Sequence, residues 1–158
     1  MGKGSWRILP TVYGILLTTY KEFELIMMTI EEKILKNSRT VAIVGLSANP
    51  ERPSNVVATY LKKKGYRVIP VNPGEKTILG ETSYLDLTSI PVKIDVVDIF
   101  RKSEDVPPIV REAIKIGAKA IWMQEGVINE AAAAEAKKAG IPVVMNKCMR
   151  KEHMKLKV

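Results

Sequence analysis

Five short runs of β-branched and apolar residues recur along this chain, and the first, third and fourth each lead into a longer stretch with helical spacing. They are Val41–Gly45 (VAIVG), Tyr66–Val71 (YRVIPV), Ile94–Ile99, Ala118–Met123 (AKAIWM) and Ile141–Met145. Runs this apolar have no polar face to show to water, so each strand must be covered on both sides. Strands that alternate with helices imply right-handed crossovers and a parallel sheet.

The intervening segments carry start and stop signals for helices. Ser54 is positioned to cap a helix that places Val57, Tyr60 and Leu61 on one face and stops at Gly65. Ser103–Ile116 reads as the next helix, because Pro107 and Pro108 fit only its first turn and Gly117 follows it. Asn129 caps an alanine-rich helix that ends at Gly140, and Thr29 with Glu32 forms a capping box for an added helix running to about Asn37. The expected fold class is therefore α/β, a Rossmann-like three-layer sandwich with a five-stranded parallel sheet and helices on both faces.

A chain of 158 residues suits one domain. The compact domain is expected over residues 28–158, with residues 1–27 as an N-terminal extension that is accessory or reflects a mis-assigned start. The apolar run Ile8–Leu17 is shorter than the about 20 residues of a membrane-spanning helix, so no membrane role is expected. The 25 Lys and Arg against 17 Asp and Glu leave a net charge of +8, which favours an anionic partner. A single cysteine, Cys148, and a single histidine, His153, exclude an internal disulfide and a multi-Cys or multi-His metal site. The cytosol is the expected compartment.

In an open parallel sheet, ligands bind beyond the carboxyl ends of the strands, where strand order reverses. That rule selects Gly45–Ser54, Asn72–Lys76, Phe100 with Arg101, Gln124–Gly126 and Asn146–Cys148. Gly45 is followed by LSANPERPS, without the second and third glycines of a dinucleotide-binding turn. This longer loop offers N–H groups, the hydroxyls of Ser47 and Ser54, and the Arg52 charge to a bulky phosphate group. Ser54 serves equally as a plain cap and Arg52 as a solvated charge. After the second strand stands Asn72, where an NAD site wants an acidic side chain, with Lys76 close behind. A basic residue there suits a phosphorylated ribose, which NADP and coenzyme A share, although Glu75 is also placed to pair with Lys76.

Taken in order, GLS, RPS, VNP, DIFR, WMQEG and a closing Cys resemble the stand-alone CoA-binding protein family, itself similar to the nucleotide-binding domain of the succinyl-CoA synthetase alpha subunit. The resemblance covers about Lys36–His153. It implies coenzyme A or acyl-CoA as ligand. It also implies that Gly45, Leu46, Ser47, Arg52 and Ser54 hold the diphosphate, while Asn72, Pro73 and Lys76 lie near the 3′-phosphoadenosine end. Phe100 and Arg101 would border the adenine and its phosphates, with Gln124, Gly126 and Asn146 on the neighbouring loops. Many relatives carry Asp and Arg where this chain has Asn146 and Lys147, so a role that needs that carboxylate does not transfer.

No nucleophile has an obvious base in this sequence, so no catalytic residue is assigned and a CoA-binding module is the expected function: a carrier, store or sensor. An NADP-linked oxidoreductase is the alternative, weakened by the missing glycines. Nucleic acid is not an expected partner, because Lys62–Lys64 complement a helix end and aromatics do not interleave with the basic runs. Cys148 is read either as a small buried hydrophobe or as a redox thiol on the ligand rim, forming a reversible mixed disulfide with CoA.

Overall fold

The computed structural model describes residues 19–156. The apolar run Ile8–Leu17 lies outside the described residues. Residues 19–27 are helical and show Phe23, Ile26 and Met27 to solvent. Helix α1 (Ile30–Asn37) then starts at the Thr29 and Glu32 capping box, with both reciprocal hydrogen bonds formed.

Strand β1 (Thr40–Val44) follows, then α2 (Pro53–Lys63) and β2 (Arg67–Val71). A small antiparallel pair, β3 (Thr77–Ile78) and β4 (Glu81–Thr82), interrupts the crossover to β5 (Val96–Ile99). A 3₁₀ turn (Ser103–Asp105) leads into α3 (Val106–Lys115), and β6 (Ala120–Met123), α4 (Glu130–Lys138), β7 (Val143–Val144) and α5 (Met149–Met154) complete the chain. The parallel sheet has the order β2-β1-β5-β6-β7. The expected α/β sandwich is thus observed.

The alternation of side chains along the strands divides the core into two layers. Ala42, Val44, Val97, Ile99, Ile121 and Met123 face α3 and α4, whereas Val41, Ile43, Val96, Ala120 and Trp122 face α1, α2 and α5. All of these side chains are buried. One residue breaks the apolar pattern on the second layer: Asp98 stands between Ile43 and Trp122 in register and is fully buried.

Several boundaries differ from the sequence reading: the helix expected from Ser103 begins at Val106, the strands expected from Ile94 and Ala118 begin at Val96 and Ala120, and two further differences touch the site. Helix α2 begins at Pro53 with Arg52 in the N-cap position and no side-chain cap. Ser54 is therefore inside the first turn, and its Oγ accepts the Ser47 N–H at 3.0 Å instead of capping the helix. Strand β7 is only two residues long, and Asn146 beyond it has a φ of 57°. Asn129 caps α4 as expected, its Oδ1 accepting the Ala132 N–H.

Candidate functional site

Strand order reverses between β1 and β5, since β1 connects outward to β2 on one side while the later strands extend from β5 on the other. A crevice of about 820 Å³ opens over the carboxyl ends of the strands at this point. The two strand ends are drawn close by Gly45, whose φ of +86° and bare α-carbon admit the Phe100 carbonyl. A Cβ there would stand 2.2 Å from that oxygen and 3.2 Å from Arg101 Nε.

The loop after β1 is fixed by its own polar side chains. Ser47 Oγ accepts from the Asn49 N–H, Asn49 Oδ1 accepts from the Glu51 N–H, and Asn55 Nδ2 donates to the Ser47 carbonyl. The loop thereby delivers the start of α2 to the crevice wall, where Arg52, Pro53 and Ser54 line it. With no side chain capping that helix, its first-turn N–H groups remain open to an anion. Arg101 and Lys102, just past β5, line it as well. Among the described residues, Arg52, Arg101 and Lys102 all lack an acidic partner within ion-pair distance.

Of the residues expected from the sequence, Gly45, Ser47, Arg52, Ser54, Asn72, Phe100, Arg101, Gln124, Gly126 and Cys148 are brought together on this crevice. Leu46, Pro73, Lys76 and Asn146 are not among its lining. Leu46 is buried in the core, and its carbonyl accepts from Asn72 Nδ2 at 2.9 Å. Asn72 Oδ1 meanwhile accepts from the Gly74 N–H, so this side chain ties two loops together. Pro73 and Lys76 are exposed beyond it. Asn146 Oδ1 accepts the Gly126 N–H at 2.7 Å and so braces the turn after β6.

The loop carrying Cys148 is held from below by Trp122 Nε1, which donates to the Lys147 carbonyl at 2.8 Å. It is held from the side by Lys147 Nζ, 2.7 Å from Glu31 of α1. Cys148 is half-buried at the start of α5. His153, one turn on, packs edge-on against Tyr60 and Tyr66 and hydrogen-bonds with the Tyr60 hydroxyl at 2.9 Å. It is a docking residue of α5.

The sequence reading missed Val57, Lys102, Asp105 and Val127 of the lining, and Asp98 beneath it. Gln124 is itself nearly buried, and its Nε2 donates to Asp98 Oδ1 at 2.7 Å. Asp98 Oδ2 has no hydrogen-bond partner among the described residues. Burial pushes the Asp98 carboxyl up to about 8, against the smaller opposing pull of Gln124 and the Ile99 N–H. The available signal was a carboxylate within an otherwise apolar strand.

The described residues contain no cluster of three or more His, Cys, Asp or Glu placed to hold a metal, and none of their helices is long and apolar enough to cross a membrane. Fold and crevice together define a Rossmann-like α/β protein with an open crevice at the switch point of its sheet. The chain belongs to the CoA binding domain family, whose model matches residues 39–154. It is 37% identical over 122 residues to the uncharacterized protein YneT of Bacillus subtilis (strain 168), covering 77% of this chain and 90% of YneT. A solved hypothetical protein from Pyrococcus horikoshii OT3 superposes with a TM-score of 0.78 at 41% identity, over 82% of this chain and 93% of that one. The dinucleotide forming acetyl-coenzyme A synthetase 1 of Ca. Korarchaeum cryptofilum, in complex with phosphate and ADP, is similar with a TM-score of 0.63 at 25% identity. The similarity covers 71% of this chain but only 26% of the synthetase.

Proposed function

We propose that this protein binds coenzyme A in the switch-point crevice and serves as a cytosolic carrier, store or sensor of the cofactor. The observation that carries this reading is the set of three cations, Arg52, Arg101 and Lys102, without acidic partners among the described residues, around the open first turn of α2. That arrangement suits a diphosphate, which gains charge-assisted hydrogen bonds from these cations. Gly45, Ser47 and Ser54 bring backbone and hydroxyl groups to the same wall, and Phe100 offers a ring to the adenine. Pro73 and Lys76 belong to the outer end, where a 3′-phosphate on the ribose would meet the exposed Lys76 ammonium. Leu46, Asn72 and Asn146 act as supports that hold the loops in register.

Cys148 lines the same crevice, which favours a finer form of the proposal. Its thiolate attacks the disulfide of oxidised CoA, forming a protein–CoA mixed disulfide and releasing one CoA thiolate, and a reductant reverses the step. An NADP-linked reaction has less support, because the loop after Gly45 lacks the glycines that let a dinucleotide approach the backbone.

Native mass spectrometry of the purified protein, before and after a reductant, tests the assignment. The expected result is a bound or co-purifying mass equal to CoA or an acyl-CoA. A co-purifying NADP, or failure of added CoA to shift the mass, counts against it.

A further inference from the structure

The buried Asp98 and Gln124 pair beneath the crevice has a property that the binding proposal does not use. A carboxylate is acceptor-only, so a charged Asp98 allows Gln124 to present only its N–H end downward and leaves its carbonyl oxygen for the crevice. A neutral Asp98 carries an O–H and accepts either end of the carboxamide. Gln124 is then free to invert and turn N–H donors toward a ligand. An anionic ligand needs donors and also repels a buried carboxylate.

Resting on the CoA reading, we propose that Asp98 is a positioning residue that sets which end of the Gln124 carboxamide faces the ligand, and that a phosphorylated ligand binds with uptake of a proton at Asp98. Geometry supports the link. Asp98 is fully buried between Ile43 and Trp122 and, among the described residues, has Gln124 as its one side-chain partner and no partner for Oδ2. Asp98 has no cation within ion-pair distance among the described residues. The charged and titratable groups on that side are otherwise engaged or at the rim. From α1 comes Glu31, tied to Lys147; from the α5 segment come Cys148 and His153, the latter held by Tyr60. The face of α2 turned inward there carries Ser54 and Asn55, both neutral. Arg52, Arg101, Lys102 and Asp105 line the crevice above. The upward displacement of the Asp98 carboxyl toward the neutral range of pH places the step where it can be measured.

The test uses S-methyl-CoA, which lacks a thiol to titrate, and protein carrying Cys148→Ser, so that neither sulfur contributes. Its dissociation constant is measured by calorimetry from pH 7 to 9.5, in buffers of differing ionisation enthalpy to count protons. The expected result is uptake of a fraction of a proton and affinity that weakens several-fold, up to about tenfold per unit of ligand-induced pKa displacement. Adding Asp98→Asn should flatten the profile and abolish the uptake. Carbon-13 titration of aspartate carboxyls needs no variant at Asp98: one carboxyl should titrate above pH 7, with a midpoint raised by the ligand. Binding without pH dependence, a slope that survives Asp98→Asn, or no carboxyl titrating in that range overturns the proposal alone. Absence of binding at every pH overturns the CoA reading and this inference with it.

Discussion

Substituting Gly45 by alanine should unfold the molecule far more readily than the loss of a turn glycine ordinarily does. The added Cβ stands 2.2 Å from the Phe100 carbonyl oxygen, where real Cβ atoms essentially never come closer than 3.0 Å. That oxygen belongs to the backbone just past β5, so relief requires the ends of β1 and β5 to move apart. The movement threatens two bonds of 2.9 Å, from the Gly45 N–H to the Val71 carbonyl and from the Phe100 N–H to the Val44 carbonyl. Each such bond contributes roughly 0.5–1.5 kcal/mol. The left-handed backbone adds about 1–2 kcal/mol for a residue with a Cβ. The expected loss is thus roughly 2–5 kcal/mol. Gly117→Ala is the control, since its φ is +70° but nothing lies within 4 Å of the added atom, and it should lose only the about 1–2 kcal/mol of the left-handed backbone. Urea unfolding of the three proteins measures the difference. If Gly45→Ala is within about 0.5 kcal/mol of Gly117→Ala, the tight switch point described above is wrong.

The remaining predictions concern charge and boundaries. Asp98 has a folded pKa of about 8 against an ordinary 3.8, so the unfolded chain loses this proton first as pH rises. Its contribution to stability is therefore fullest below about pH 4, falls between pH 4 and 8 by up to roughly 5 kcal/mol, and is level above that; Asp98→Asn should flatten the slope in urea midpoints taken at pH 5 and 8. Arg101→Ala should weaken CoA binding by roughly 1.5–3 kcal/mol, about tenfold or more in a calorimetric titration, and an unchanged affinity would place the diphosphate elsewhere. A chain beginning at Met28 should keep its fold and CoA affinity by circular dichroism and titration, because the capping box at Thr29 starts α1 unaided; loss of soluble protein would show that the upstream segment packs on the domain or on a second subunit.

The sequence made the sheet legible because Val41–Gly45, Tyr66–Val71 and their three counterparts are apolar on both faces, a pattern that few alternatives to a covered parallel sheet satisfy. The five loops at the strand ends followed from topology. Local hydrogen bonding was harder to read. Ser54 looks like a cap in sequence, yet Pro53 fits the first helical position and draws the start of α2 two residues earlier. Asn72 and Asn146 look like ligand donors, yet their side chains are spent on the Leu46 carbonyl, the Gly74 N–H and the Gly126 N–H. Those partners are 26, 2 and 20 residues away, and only the folded chain decides among them. The pair β3 and β4 escaped notice because two-residue strands leave no periodic signal. Asp98 went unread for a related reason: a carboxylate in an apolar strand marks an exception without saying what lies beneath Gln124.

The central claim, that the crevice selects coenzyme A, is tested most directly by titrating the purified protein in parallel with CoA, 3′-dephospho-CoA, NAD and NADP. The account predicts that CoA binds most tightly, that removing the 3′-phosphate weakens it by roughly 1.5–3 kcal/mol, and that Lys76→Ala erases most of that difference. Tighter binding of NADP than of CoA would contradict it.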